Sequence, residues 1–408
     1  MDRRRFLIRA GYFSASAIAT LSTHYWLTPA TASSNNPKRL IVIFLRGAVD
    51  GLNVVVPYQE AAYYEARRSI AIPQPDQENG ALNLDGQFGL HPALAPLLPL
   101  WQQKSLAFVH ACGSTNETRS HFDAQDYMES GTPGVKRTSD GWMNRLLENL
   151  SGHTPIQGVS VGSTIPRIFS GKMSVATIAS GKNATRTLLL DRPQIGAAFD
   201  RLYSNNDTLS RVYQEGRAAR QALQQDLDNE MKMANNGAPL PNGFVSDAQR
   251  VANVMVKDPR VQLVFMALGG WDTHVNQGST QGQLARNLQA LGQGLATLQK
   301  SLGAVYQNTT ILVMSEFGRT VQENGNGGTD HGHGNVMWVL GGTTKGGKVY
   351  GQWTGLDNSQ LYQGRDLPVT TDFRDVVTTV LERHLGLEDS KLAQVFPNYS
   401  PKQRINLI

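Results

Sequence analysis

Short apolar runs recur along the chain at Leu40–Leu45, Leu106–Ala111, Val261–Leu268, Thr310–Met314 and Val336–Leu340. Each is a short, nearly continuous block, the pattern of a strand covered on both faces as in a parallel sheet. Between these runs the apolar period lengthens to that of a helix. Over Gln281–Leu302 the residues Leu284, Leu288, Leu291, Leu295, Leu298 and Leu302 recur at steps of three and four, one stripe on one helix face. A last helix is predicted over Asp372–Leu385. There Val376, Val377, Val380, Leu381 and Leu385 share a face, and Thr370, Thr371 and Asp372 offer caps. Strands alternating with helices predict an α/β fold with a doubly wound, mostly parallel central sheet covered on both faces.

The middle of the chain breaks this rhythm. Asp207–Asn235 reads as a long Gln/Ala/Arg-rich helix with a thin stripe of Leu209, Val212, Leu223 and Leu227, closed by a glycine and two prolines before Asn242. Residues 152–246 are therefore expected to form an insertion or cap on a main domain spanning 33–408.

Met1–Ala32 reads as a signal peptide of the twin-arginine type. Arg3-Arg4-Arg5-Phe6-Leu7 supplies the paired arginines, and Ala30-Thr31-Ala32 the small residues of a cleavage site. Ser14, Ser16, Thr20 and His24 interrupt its apolar stretch, which is too weak for a stable membrane span. Handling by the twin-arginine translocase and a periplasmic or secreted address follow. Removing the leader also changes the charge picture. Its four arginines and one aspartate carry +3 of the chain's +5, so the remainder carries +2 and gives no argument for nucleic-acid binding. The single cysteine, Cys112, rules out an internal disulfide, so stability rests on core size.

Histidines and acids gather just after the predicted strands, where open α/β sheets bind ligands. Asp50 follows the first strand beside Gly47 and Gly51, a position for a metal ligand or for an ordinary Asp-Gly turn. Asp272 and His274 lie two apart after Gly269-Gly270, so that both project one way and can share an ion. Glu316 follows Thr310–Met314. Beyond a glycine-rich loop, Asp330, His331 and His333 fall within four residues flanked by glycines, a donor set suited to zinc, manganese or iron. Ser120 sits where an N-cap would open a helix, either as a pure cap or as a nucleophile at the positive end of the helix dipole, with Thr118 as a second candidate. Arg119 and Arg319 are candidates to hold an anionic group or to form surface ion pairs.

Taken together, the leader, Arg46-Gly-Ala-Val-Asp50-Gly-Leu-Asn53, Ser120-His-Phe-Asp-Ala-Gln125, Gly269-Gly-Trp-Asp-Thr-His274, Ser315-Glu-Phe-Gly-Arg-Thr320 and Thr329-Asp-His-Gly-His-Gly334 resemble one group. It is the twin-arginine-exported bacterial family known as domain of unknown function 1501, itself similar to the alkaline phosphatase and sulfatase superfamily. That resemblance implies one or two divalent ions, zinc or manganese, at the carboxyl end of the sheet. It implies Asp50 as the acid after the first strand, Ser120 as nucleophile, Asp272 and His274 as the ligand pair of one ion, and His331 or His333 as the late histidine. Three departures stand out. Glu316-Phe317 replaces an Asp-His pair, for which Asp330-His331 is the alternative. Asp272 and His274 are more closely spaced than usual. The segment from Cys112 to Asn116 lacks the formylglycine motif of cysteine-type sulfatases.

The function so implied is a metal-dependent hydrolase of phosphate or sulfate esters, acting through Ser120 or a metal-bound water on an anionic ester, small molecule or polysaccharide. The alternative is a non-catalytic exported binding or assembly protein that keeps the fold and one ion. Phe317 favours that second reading.

Overall fold

In the computed structural model, Arg39–Leu45 (β1) is buried at every position and lies at the middle of the main sheet. The structure describes residues 37–162, 164–178, 180 and 233–408. The leader, and the predicted central helix as far as residue 232, lie outside the described residues.

Val55–Val56 (β2), Leu82–Asn83 (β3) and Gly89–Leu90 (β4) make a small antiparallel sheet of their own. The main sheet adds Leu106–Gly113 (β5), Gly158–Val161 (β6), Ala176–Ile178 (β7), Leu263–Leu268 (β8), Thr309–Ser315 (β9), Asn335–Gly341 (β10), Lys348–Tyr350 (β11) and Thr371–Asp372 (β12). Its order is β11-β5-β10-β9-β1-β8-β6-β7, with β12 also on β5. All described pairings in it are parallel except those of β10, which runs antiparallel to both β5 and β9. The fold is thus the expected α/β class, mostly parallel, with every predicted strand present. Within residues 152–246, β6 and β7 extend the main sheet beside β8. Strands of four and three residues are too short to show a period in the sequence.

Five helices concern the site and its support: His121–Ser130 (α1), Trp142–Asn149 (α2), Phe244–Lys257 (α3), Gln283–Leu302 (α4) and Phe373–Arg383 (α5). The leucine stripe of α4 is fully buried and packs, with α3, on the face carrying Ile41, Ile43, Val264, Ile311 and Val313. The opposite face, with Leu40, Val42, Phe44, Phe265 and Leu312, is covered by α2 and α5. Alternate residues of one strand thus serve two cores, which is why the runs are apolar without alternation. Asp372 caps α5, its side chain accepting from Arg374 N–H at 2.9 Å.

This topology places the chemistry. Leu45 pairs level with both Leu268 and Ser315, so β1, β8 and β9 end together. The carboxyl end of β5 reaches the same edge. Because β10 is reversed, its amino end, carrying the loop Thr329–Gly334, arrives there too. Five strand ends, joined to four loops, meet at one sheet edge.

Candidate metal centre

Three histidines from three of these loops converge on Asp272. His121, the first residue of α1, lies with its Nε2 2.9 Å from His331 Nε2 and 3.5 Å from Asp272 Oδ2. His274 Nε2 lies 2.9 Å from His331 Nε2 and 3.0 Å from Asp272 Oδ1, and His331 Nε2 3.3 Å from that same oxygen. The ligand atoms of His121, Asp272 and His331 all fall within 4.8 Å of one another. Four donors around one tetrahedral zinc would stand roughly 3.3 Å apart, given bonds near 2.0 Å.

The Nδ1 atoms explain this convergence. His121 Nδ1 donates to Glu316 Oε1 at 2.8 Å, His274 Nδ1 to Asp330 Oδ1 at 3.2 Å, and His331 Nδ1 to the Arg119 carbonyl at 3.0 Å. Each partner only accepts, so each Nδ1 carries its proton, and Nε2 is the atom each ring turns to the centre, a lone-pair donor once it is unprotonated. Nitrogens facing one another this closely repel unless a proton or a metal ion lies between them, and one shared proton cannot serve both 2.9 Å contacts of His331 Nε2. Asp272 Oδ2 adds to the case: it is buried and accepts no hydrogen bond. The donor set therefore fits a divalent ion.

Electrostatics point the same way. Burial alone would raise the Asp272 pKa, but the three imidazoles and Arg319 hold it far below the usual carboxylate range. Burial would likewise raise Glu316, yet its bonds from His121 and Gln125 keep it low. For His121 burial acts downward, and Asp272 and Glu316 overcome it, pushing the imidazole up to about 9. His331 is lowered by burial, helped by Arg319 and His121.

Not every predicted residue joins the centre. Asp50 does not: its two oxygens accept from Arg67 at 2.5 and 3.0 Å, and Oδ2 also from Gln277 at 2.6 Å, all buried. Glu316 is no ligand but the carboxylate behind His121, its Oε1 taking three donors: His121, Gly47 N–H at 2.8 Å and Gln125 at 2.9 Å. Asp330 plays the same part behind His274 and is more than half exposed. His333 turns away and stacks on Tyr362, ring centroids 4.8 Å apart, with burial lowering its pKa. Of the two late histidines, His331 is the one at the centre.

Arg319 is also reassigned. It is fully buried and donates to Asp272 Oδ1 at 2.7 Å and to Thr329 through Oγ1 and the carbonyl, so it orients the ligand and has no open face for an anion. Arg119 remains a third exposed, bound to Asp366 at 2.7 Å and Gln363 at 2.9 Å. Ser120 is the N-cap of α1, accepting weakly from Asp123 N–H at 3.5 Å, with its side chain exposed beside His121. Phe317 packs against the rings of His121 and His331, centroids 4.9 and 5.2 Å away, forming an apolar wall in place of a ligand.

His121 was not among the residues predicted to bind the ion. It stands next to Ser120, the N-cap of α1. A histidine at position N1 of a helix opening on this sheet edge was the available clue.

The sequence profile described as "Protein of unknown function (DUF1501)" matches residues 37–396, most of the chain. The chain belongs to the DUF1501 family. No curated protein matches this family member in sequence. Among solved structures it is similar to the C-terminal periplasmic domain of EcEptC from Escherichia coli in complex with Zn, with 11% identity and a TM-score of 0.44, covering 92% of this chain and 93% of that one. It is similar to Ps i-CgsB in complex with k-i-k-neocarrahexaose, at 13% identity and a TM-score of 0.42, over 87% and 74% of the two chains. A third is BT1596, a 2-O GAG sulfatase, at 10% identity and a TM-score of 0.38, over 90% and 76%. At these scores the likenesses lend no weight to the assignments below. Among the described residues no helix is long and apolar enough to cross a membrane.

Proposed function

We propose that this DUF1501 member is an exported, metal-dependent hydrolase of phosphate or sulfate esters. The observation that carries the reading is the convergence of His121, His274 and His331 Nε2 on Asp272, with every Nδ1 already engaged. A zinc or manganese ion bound there would act as a Lewis acid on an ester oxygen and lower the pKa of a water. The chain's own groups supply the rest. Arg319, itself held by Thr329, orients Asp272, Glu316 and Asp330 fix the histidine tautomers, and Phe317 keeps bulk water off one side. Ser120 lies one residue from His121 at the start of α1, the candidate to attack the ester with a water as the alternative. Arg119, anchored by Asp366, is the candidate to hold the anionic group of a small-molecule or polysaccharide ester. The twin-arginine leader supports export in the folded state, after an ion has been loaded.

A second reading has an observation of its own. Three histidines and one aspartate suffice to close a tetrahedral site, and closed sites are structural. The protein would then be a binding or assembly component. Purified protein assayed with chromogenic phosphate and sulfate esters separates the two. The hydrolase reading expects bound metal and slow turnover that Asp272→Ala and Ser120→Ala abolish. Metal without turnover over a broad ester screen supports the second reading, and metal-free folded protein overturns the first.

A further inference from the structure

Carboxylate oxygens limit how many divalent ions this sheet edge can hold. Four acids meet there: Asp50, Asp272, Glu316 and Asp330. Asp272 keeps one unpartnered oxygen, Oδ2. Glu316 has Oε1 filled by three donors, and its buried Oε2 faces the Ser315 hydroxyl at 3.0 Å, whose one proton it shares with the Leu45 carbonyl at 2.6 Å. Asp330 Oδ1 is taken by His274 and by Asn324 at 3.0 Å, and its side chain faces solvent.

Asp50 is the decisive case. Arg67 meets it end-on with both terminal nitrogens, and neither side chain is more than 1% exposed. The same guanidinium donates from Nη1 to Asn53 Oδ1 at 2.8 Å, from Nη2 to the Thr320 carbonyl at 2.8 Å and from Nε to the Val321 carbonyl at 2.8 Å. Each of its three nitrogens is thus committed. Turning Asp50 toward an ion would strand a buried guanidinium, a strongly destabilising loss of one partner from a buried pair.

The pair is also tied to the centre. Gln277 Nε2 donates to Asp50 Oδ2 at 2.6 Å, Thr329 donates to Gln277 Oε1 at 3.0 Å, and Arg319 Nε donates to Thr329 Oγ1 at 3.2 Å. Arg319 ends this run on Asp272. A second cation would therefore meet two fixed positive charges, Arg67 and Arg319, and among these four acids only the solvent-facing Oδ2 of Asp330 would be left to offset them.

We infer that this protein holds one divalent ion, at His121, Asp272 and His331 with His274 alongside, and that the Arg67 guanidinium permanently takes the Asp50 carboxylate a second ion would need. The inference rests on the metal reading above and narrows its expected one or two ions to one.

The test is an ion count on the whole exported chain, loaded with excess zinc alone or manganese alone, freed of loose metal and measured by native mass spectrometry and elemental analysis. One ion per chain is expected, and none in His331→Ala. The paired swap Asp50→Asn with Arg67→Gln, which removes both charges together, is expected to keep the parental count. Two ions in the parent, or a count that falls by one in the swap, overturns the single-ion inference while leaving the metal reading intact. A count of zero in the folded parent overturns both. If the swap does not fold, the parental count decides.

Discussion

Replacing Glu316 by glutamine removes a charge behind His121 while keeping the shape of the buried side chain. A glutamine oxygen at the Oε1 position keeps the bonds from His121, Gly47 and Gln125. Its amide nitrogen then donates to Ser315 Oγ, whose one proton, shared in the parent between Glu316 Oε2 and the Leu45 carbonyl, goes wholly to that carbonyl at 2.6 Å. The fold should survive, and the loss should fall on the ion. Removing such a supporting group lowers metal affinity by about 10–100-fold, roughly 1.4–2.7 kcal/mol. A second effect has the opposite sign. In the metal-free protein His121 titrates at about 9, so below that pH an ion must displace its proton. The competition costs roughly a decade of affinity per pH unit. Taking away the Glu316 charge lowers this pKa and weakens the competition. Near neutrality the two effects oppose one another; above pH 9 only the first remains. Zinc affinity measured against a chromophoric chelator should therefore fall by about 10–100-fold above pH 9 and by less near neutrality. A variant within about twofold of the parent in the alkaline range would refute the role given to Glu316.

Other outcomes follow from the same geometry. His333→Ala should leave ion content unchanged, because its ring lies on Tyr362, whereas His331→Ala should abolish it; elemental analysis reads both. Ser120→Ala should lower unfolding free energy by only about 0.5 kcal/mol, given the long cap bond of 3.5 Å, yet remove ester turnover. Equal turnover in parent and variant would exclude Ser120 as nucleophile. Gly47 has φ +112 and an added Cβ would stand 2.6 Å from Asp272 N, so Gly47→Ala should cost about 2 kcal/mol or more in urea unfolding and lower ion occupancy. The metal-free protein should lose stability as pH rises from about 6.5 toward 9, because protonated His121 stabilises the fold fully below its unfolded pKa and not above its folded one. Thermal unfolding followed across that range, with and without zinc, checks the sign, and the zinc-bound form should not show the fall.

Much of the sheet was legible because its strands carry two cores at once. The runs at Leu40, Leu106, Val261, Thr310 and Val336 are apolar at successive positions for that reason, and the α4 stripe is as clean in the structure as in the sequence. The reversal of β10 was not legible, since strand direction depends on connections and not on the residues of the strand. At the site, Asp272, His274 and His331 stood out through their glycine-flanked loops. Asp50, Glu316 and Asp330 have the right chemistry in the right place, and the sequence alone cannot tell a ligand from the acid behind it. Which it is depends on partners far away in the chain: Arg67 for Asp50, His121 for Glu316, His274 for Asp330. Arg319 was read as an anion holder for the same reason, its partner Asp272 being 47 residues distant.

The central claim is that these histidines and Asp272 hold an ion, and an anomalous difference map from zinc-loaded crystals tests it most directly. The account predicts one peak about 2.0–2.2 Å from His121 Nε2, His331 Nε2 and an Asp272 oxygen. A peak on Asp50 or His333, or none at this sheet edge in folded, zinc-loaded protein, would contradict it.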